Sequence, residues 1–133
     1  MERSMPKFYC NKLGRDKGSE GFKSEGITPK YKLLSGEELQ NELKHKLSEE
    51  IEEVESAQNS SELIAELADI LEVIDGICKA NDIDKQELMS VKEEKYKKRG
   101  GFERGFYVEY IEMSEDNPKV QHFRSSPDKY PED

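Results

Sequence analysis

Residues 63–75 read LIAELADILEVID. At about 100° of rotation per residue, Leu63, Leu67, Ile70, Ile74 and Ile77 line up as one apolar stripe, the pattern of an amphipathic helix. Glu66 falls inside that stripe, between Val73 and Ile77 in projection, and Asp69 sits at its edge. A carboxylate directed into apolar packing is costly unless something compensates it. The stretch therefore predicts a helix and also asks what its inward acid is for.

The same arrangement occurs upstream. Leu43, Leu47, Ile51 and Val54 fall within roughly 80° of one another on a helical wheel. Glu50 projects beside them, inside the apolar face, and Glu53 follows at the flank one turn on. Two such helices facing each other bring four carboxylates together, which either raises some pKa values or holds a cation. Oxygen donors with no His or Cys nearby suit a hard cation, Mg²⁺ with Mn²⁺ as the alternative, rather than zinc. Inward acids on bundle helices are one way to build such a site. A solvated charged face accounts for Glu49, Glu52, Glu55, Glu72 and Asp75, and for Glu50 and Glu66 spacing alone leaves both readings open.

Working outward, the element ends are marked. Ser35 with Glu38 three residues on forms a capping-box pattern, opening a helix that runs to about Ala57. The turn Gln58-Asn59-Ser60 follows, and Ser60 or Ser61 caps the second helix to about Ala80. Asp84, with Glu87 at the box position, caps a third helix that ends at Arg99 before Gly100-Gly101. On that helix Leu88, Val91, Lys92, Lys95 and Arg99 share a face, half apolar stripe and half basic ridge. Snorkelling side chains explain such a ridge, and phosphate contacts explain it if an acidic cation site lies near. Residues 1–34 read as an extended arm, with glycines at 14, 18, 21 and 26. Phe106, Val108 and Tyr110 alternate, which suits a short strand, although a helix packed on a partner fits the same segment. Residues 114–133, rich in Pro, Ser and acids, are expected to be a flexible tail.

The 133 residues fit one domain, assigned to residues 1–113 with the tail beyond. Apolar residues make up 33% and charged residues 38%, so the core is lean. A lean core in a small chain predicts burial completed by a second subunit, a homodimer or homotetramer. The fold expected is all-α, a bundle with three main helices per chain. The formal net charge of −9 argues against nucleic acid or an anionic membrane as partner. That charge is divided: residues 37–75 hold 13 acids against two lysines, and residues 92–104 hold six Lys or Arg. Cys10 and Cys78 lie far apart with no CxxC, so neither zinc nor a disulfide framework is indicated. Cys78 reads as core. No signal-peptide pattern and no apolar span is present, which makes the cytoplasm the expected location. His45 and His122 read as surface residues, and no Walker-type phosphate loop occurs.

The run Glu49-Glu50-Ile51-Glu52-Glu53, followed by Glu66-Leu67-Ala68-Asp69, resembles the EExxE…ExxD signature of MazG-like nucleotide pyrophosphohydrolases. Lys12-Leu13-Gly14-Arg15-Asp16-Lys17 is similar to the KLVRDK of a phosphoribosyl-ATP pyrophosphohydrolase-like subgroup, and Arg99-Gly100-Gly101-Phe102 to its RGGF. The resemblance implies an all-α oligomer that hydrolyses a nucleotide between its α- and β-phosphates. It implies Mg²⁺ held by Glu50, Glu53, Glu66 and Asp69, with Glu49 as an outer ligand or water-orienting base. Lys92, Lys95 and Arg99 are then phosphate contacts, joined by Lys12, Arg15 and Lys17 from the N-terminal motif. Two departures stand out. Gly14 replaces an apolar residue, and Gly18-Ser19-Glu20-Gly21-Phe22 replaces the subgroup's IPEII, which puts its short N-terminal helix in question.

The expected substrate is a nucleoside triphosphate, non-canonical ones included, cleaved to the monophosphate and pyrophosphate. Phosphoribosyl-ATP, as in histidine biosynthesis, is the alternative within the same chemistry. A noncatalytic acidic helical module that binds a protein is the alternative outside it.

Overall fold

In the computed structural model, which describes residues 4–133, every regular element is a helix. The chain divides into two units, Met1–Lys95 and Tyr96–Asp133. The first holds α1 (Gly18–Ser24), α2 (Gly36–Ser56) and α3 (Ser60–Ala80). Helix α4 (Lys85–Arg99) runs on into the second unit, which also holds α5 (Val120–Arg124). The all-α expectation and the three main helices stand, with bounds within a residue or two of those read from the caps. Two short helices were not expected. Helix α1 forms inside the arm at the segment that departs from the subgroup's sequence, and α5 lies within the stretch expected to be a flexible tail.

The caps differ in detail. Ser35 is the N-cap of α2, but its side chain makes no capping hydrogen bond. At α3 the capping residue is Asn59, one position earlier than the serines: its Oδ1 accepts from Glu62 N at 2.9 Å, and Glu62 Oε2 accepts from Gln58 N at 2.8 Å. That exchange satisfies two exposed donors at once and fixes the turn between α2 and α3. Asp84 opens α4 as expected, accepting from Gln86 N at 2.9 Å. Gly100 closes it, with φ +78° and its N–H bonded to Tyr96 O at 2.7 Å, a conformation that favours glycine.

Helices α2 and α3, 21 residues each and so about 31 Å long, pack as an antiparallel hairpin. Gln40 Nε2 donates to Ala80 O at one end, Leu43 abuts Gly76 farther in, and Glu50 meets Glu66 and Asp69 beyond. A Cβ on Gly76 would lie 3.0 Å from Leu43 Cδ2, so the missing side chain permits the close approach. Among the described residues, those buried are Leu43, Val73, Cys78 and one charged group, Glu50. Cys78 is thus core, as its stripe predicts, and Cys10 is exposed. Much of the apolar arc of α3 lies outside the hairpin seam: Ile64 is 68% exposed, Leu71 64% and Leu67 46%.

In the second unit Arg124 is held by Glu115, at 2.6 and 3.0 Å, and by Glu132, at 2.9 Å twice. Those charge-assisted bonds keep both carboxyls below their ordinary range. Phe123 and Tyr130 stack edge-to-face with centroids 4.9 Å apart. The alternating segment at Phe106–Tyr110 is neither strand nor helix. A strand exists only in a ladder, and nothing among the described residues pairs with it.

Candidate metal centre

The hairpin register is what assembles the site. Glu50 comes from the middle of α2, Glu66 and Asp69 from successive turns of α3, and one carboxylate oxygen of each lies within 4.8 Å of the others. Glu50 is the most enclosed, at 9% exposure, and Glu66 and Asp69 are half-buried. Glu66 shows the strain of this arrangement. Desolvation first, then the charges of Asp69, Glu53 and Glu50 and a hydrogen bond with Glu50, push its carboxyl above the ordinary range. Three oxygen donors that repel one another, with no His or Cys among them, fit a hard divalent cation.

The inferred ligands do not all converge. Glu53 is exposed and lies outside the three-acid cluster, although its charge is felt at Glu66. Glu49 is part-buried and accepts a hydrogen bond from Lys46 Nζ at 3.1 Å. The same ammonium lies 3.7 Å from Glu50 Oε1. Lys46 is the residue that the sequence reading missed. Its signal was present, since a Lys three and four positions before two acids shares their face of a helix.

The arm supplies a second cation. Arg15 Nη2 donates to Asp69 Oδ1 at 2.7 Å, closing a cleft lined by Leu13, Gly14, Leu43, Lys46 and Glu50. The N-terminal motif is therefore at the cluster despite its departures from the subgroup pattern. In this structure Arg15 pairs with a ligand candidate, and both Arg15 and Asp69 stay substantially exposed, at 60% and 41% for their side chains. Lys12 is exposed, and Lys17 is the N-cap residue of α1. On α4, Lys92, Lys95 and Arg99 are all exposed, and no residue of that helix is buried. His45 and His122 are exposed, as expected.

Against known families, the phosphoribosyl-ATP pyrophosphohydrolase model matches residues 28–95. That range is just over half of the 133 residues and contains the whole acidic cluster. The chain belongs to the phosphoribosyl-ATP pyrophosphohydrolase family. This family sits in the MazG-like superfamily, and its members are hydrolases acting on acid anhydrides. The match takes in α2, α3 and most of α4 and stops short of both flanking motifs, at Lys12–Lys17 and Arg99–Phe102. No curated protein and no solved structure matches the chain. No helix among the described residues is long and apolar enough to cross a membrane.

Proposed function

We propose that this pyrophosphohydrolase-family chain is metal-dependent and cleaves a nucleoside triphosphate, non-canonical ones included, to the monophosphate and pyrophosphate. The observation that carries the reading is the convergence of Glu50, Glu66 and Asp69 from two helices onto one point. Nothing in ordinary helix packing rewards three mutually repelling carboxylates at a seam. A cation there, Mg²⁺ or Mn²⁺, neutralises phosphate charge and acidifies a bound water when present.

The chain's own residues do the rest. Glu50, Glu66 and Asp69 would hold the cation, with Glu53, whose charge is felt at Glu66, as a further ligand. Glu49, kept in place by Lys46, orients water toward phosphorus. Lys92 and Lys95 of α4, with Arg15 and Lys12 of the arm, would contact phosphate oxygens and stabilise the leaving pyrophosphate. Arg15, which here donates to Asp69, would take up that role by exchanging the carboxylate for a phosphate oxygen.

The assembly proposed is a homodimer or homotetramer in which a second copy covers the Ile64, Leu67 and Leu71 face of α3. Three large apolar side chains on successive turns, each close to half exposed or more, support it.

Phosphoribosyl-ATP is the second substrate reading, favoured by the family description itself. The test is pyrophosphate release from canonical NTPs, modified NTPs and phosphoribosyl-ATP, with Mg²⁺ and with EDTA. Cation-dependent release that is lost in Glu50→Gln and Asp69→Asn is expected, and the ranking of substrates separates the two readings. A folded protein that releases pyrophosphate from none of them overturns the proposal in favour of a noncatalytic module.

A further inference from the structure

The cleft between the arm and the hairpin changes character along its length. On α2 its lining residues Leu39, Leu43, Lys46 and Glu50 recur every three or four positions and so form one line about 16 Å long. That line passes from two leucines through an ammonium to an acid of the metal cluster. Helix α3 repeats the order from the other side, with Val73 toward the leucines and Asp69 at the acids. The two helices thus make one end of the cleft apolar and the other charged. The arm adds Leu13, two residues before the Arg15 that holds Asp69.

The cleft encloses about 200 Å³. Sites for a whole drug-sized ligand run to about 300–1,000 Å³, so this one takes a fragment whose remainder projects toward the acids. Its arm wall also offers polar groups. No backbone hydrogen bond among the described residues involves the N–H or C=O of Leu13 or Gly14. Gly14 is not explained by its own conformation: its φ lies outside the left-handed region, and a Cβ there would meet no atom within 4 Å. A glycine that neither strain nor crowding requires leaves its backbone open to close approach by a ligand. Apolar walls with a few open backbone donors and acceptors suit a flat ring with a polar edge. A nucleobase carried on a sugar phosphate has that chemistry in the same order as the cleft, apolar faces first and charge last.

We infer that the nucleoside half of the substrate lies in this cleft, its base against Leu13 and Leu39 and its α-phosphate at Lys46 and the acids. The buried Leu43 and Val73 form the apolar end with them. The pyrophosphate then departs on the far side of the cluster, toward Glu53 and the C-terminal end of α2. This direction rests on the nucleotide reading of the acidic cluster and adds to it the residues that hold the base. The arm wall stands outside residues 28–95, the stretch that matches the family.

Calorimetric binding tests the subsite without turnover. With Mn²⁺ present, the chain is titrated with each ribonucleoside monophosphate and with ribose 5-phosphate, which keeps the sugar and phosphate and lacks the base. At least one monophosphate should bind about tenfold or more tightly than ribose 5-phosphate. Leu13→Ala and Leu39→Ala should each erase most of that difference and leave ribose 5-phosphate binding unchanged. Loss of the side chain and loss of the base are then non-additive, as for groups in contact. Leu13 stands on the arm, so its variant keeps the test readable where Leu39→Ala disturbs α2. Equal affinity for the two kinds of ligand, or no binding of either, overturns the inference. So do variants that weaken both ligands alike, and a base preference that survives both substitutions. Pyrophosphate release from NTPs by a chain with no base preference leaves the pyrophosphohydrolase reading standing and overturns the subsite. Base-dependent binding that the leucine variants erase, in a chain that releases no pyrophosphate, supports the subsite and overturns the catalytic reading.

Discussion

Replacing Glu50 by Gln removes one negative charge from the acidic cluster while keeping the side chain's shape, and it is expected to move stability in opposite directions with and without a cation. Without one, Glu50 is buried beside two other carboxylates, and the Lys46 ammonium that offsets it at 3.7 Å is shared with Glu49 at 3.1 Å. Losing that charge relieves repulsion, so the variant in EDTA should melt at or above the wild type. With Mn²⁺ at 100 times its Kd, the wild type gains about 2.7 kcal/mol from binding to the folded state alone. Unfolding entropy of about 2.1 cal/mol/K per residue gives about 0.28 kcal/mol/K for a chain of 133 residues, so that gain is a Tm rise of about 10 °C. Even an outer-shell partner of a metal ligand is worth about 10–100-fold in affinity. Loss of one of three carboxylates at the same cation concentration should therefore cut the rise to about 5 °C or less. Differential scanning fluorimetry in EDTA and in Mn²⁺ reads both halves. An equal cation-induced rise in the two proteins would refute Glu50 as a ligand. A variant that melts lower in EDTA would refute the repulsion, and would mean that the Lys46 pair dominates.

Glu66 supplies a pH test. Its folded carboxyl titrates above its ordinary value of 4.5, so the metal-free fold binds this proton more tightly than the unfolded chain, and its contribution to stability is lost as pH rises through that window. The Tm advantage of Glu66→Gln over wild type in EDTA should grow from about pH 4 to about pH 7, and a difference flat with pH would count against the strained cluster. Arg15 competes with a cation for Asp69, so Arg15→Ala should tighten Mn²⁺ binding in calorimetry by up to about fivefold, the ceiling for an exposed ion pair. Unchanged or weaker binding would remove the arm from the site. Leu71→Glu places a charge on the open face of α3 and should lower the sedimenting mass to that of one chain without unfolding it; an unaltered assembly would put the subunit contact elsewhere.

The amino-acid sequence by itself determined the three main helices and the inward direction of Glu50 and Glu66. The 3.6-residue period sorts side chains by face, and capping residues act within a few positions of where they stand, so both are written locally. It also carried the family, because the acid spacing is a pattern along the chain. It placed the cap of α3 at Ser60 or Ser61, one or two residues late, since Asn59 and its serine neighbours are all capable caps and backbone geometry decides among them. What only the tertiary structure decided was distance. Which residues of α2 face which of α3 depends on register, and register is set by packing across the seam, at contacts such as Leu43 against Gly76. That register brings Glu50 to Glu66 and Asp69 and leaves Glu53 outside, although wheel angles put Glu53 and Asp69 in equivalent places. Arg15 reaches Asp69 across 54 positions through an irregular arm, which no local periodicity encodes. The segment at Phe106–Tyr110 has the sequence of a strand and, among the described residues, no ladder to join, because a strand, unlike a helix, finds its hydrogen bonds in another stretch of chain.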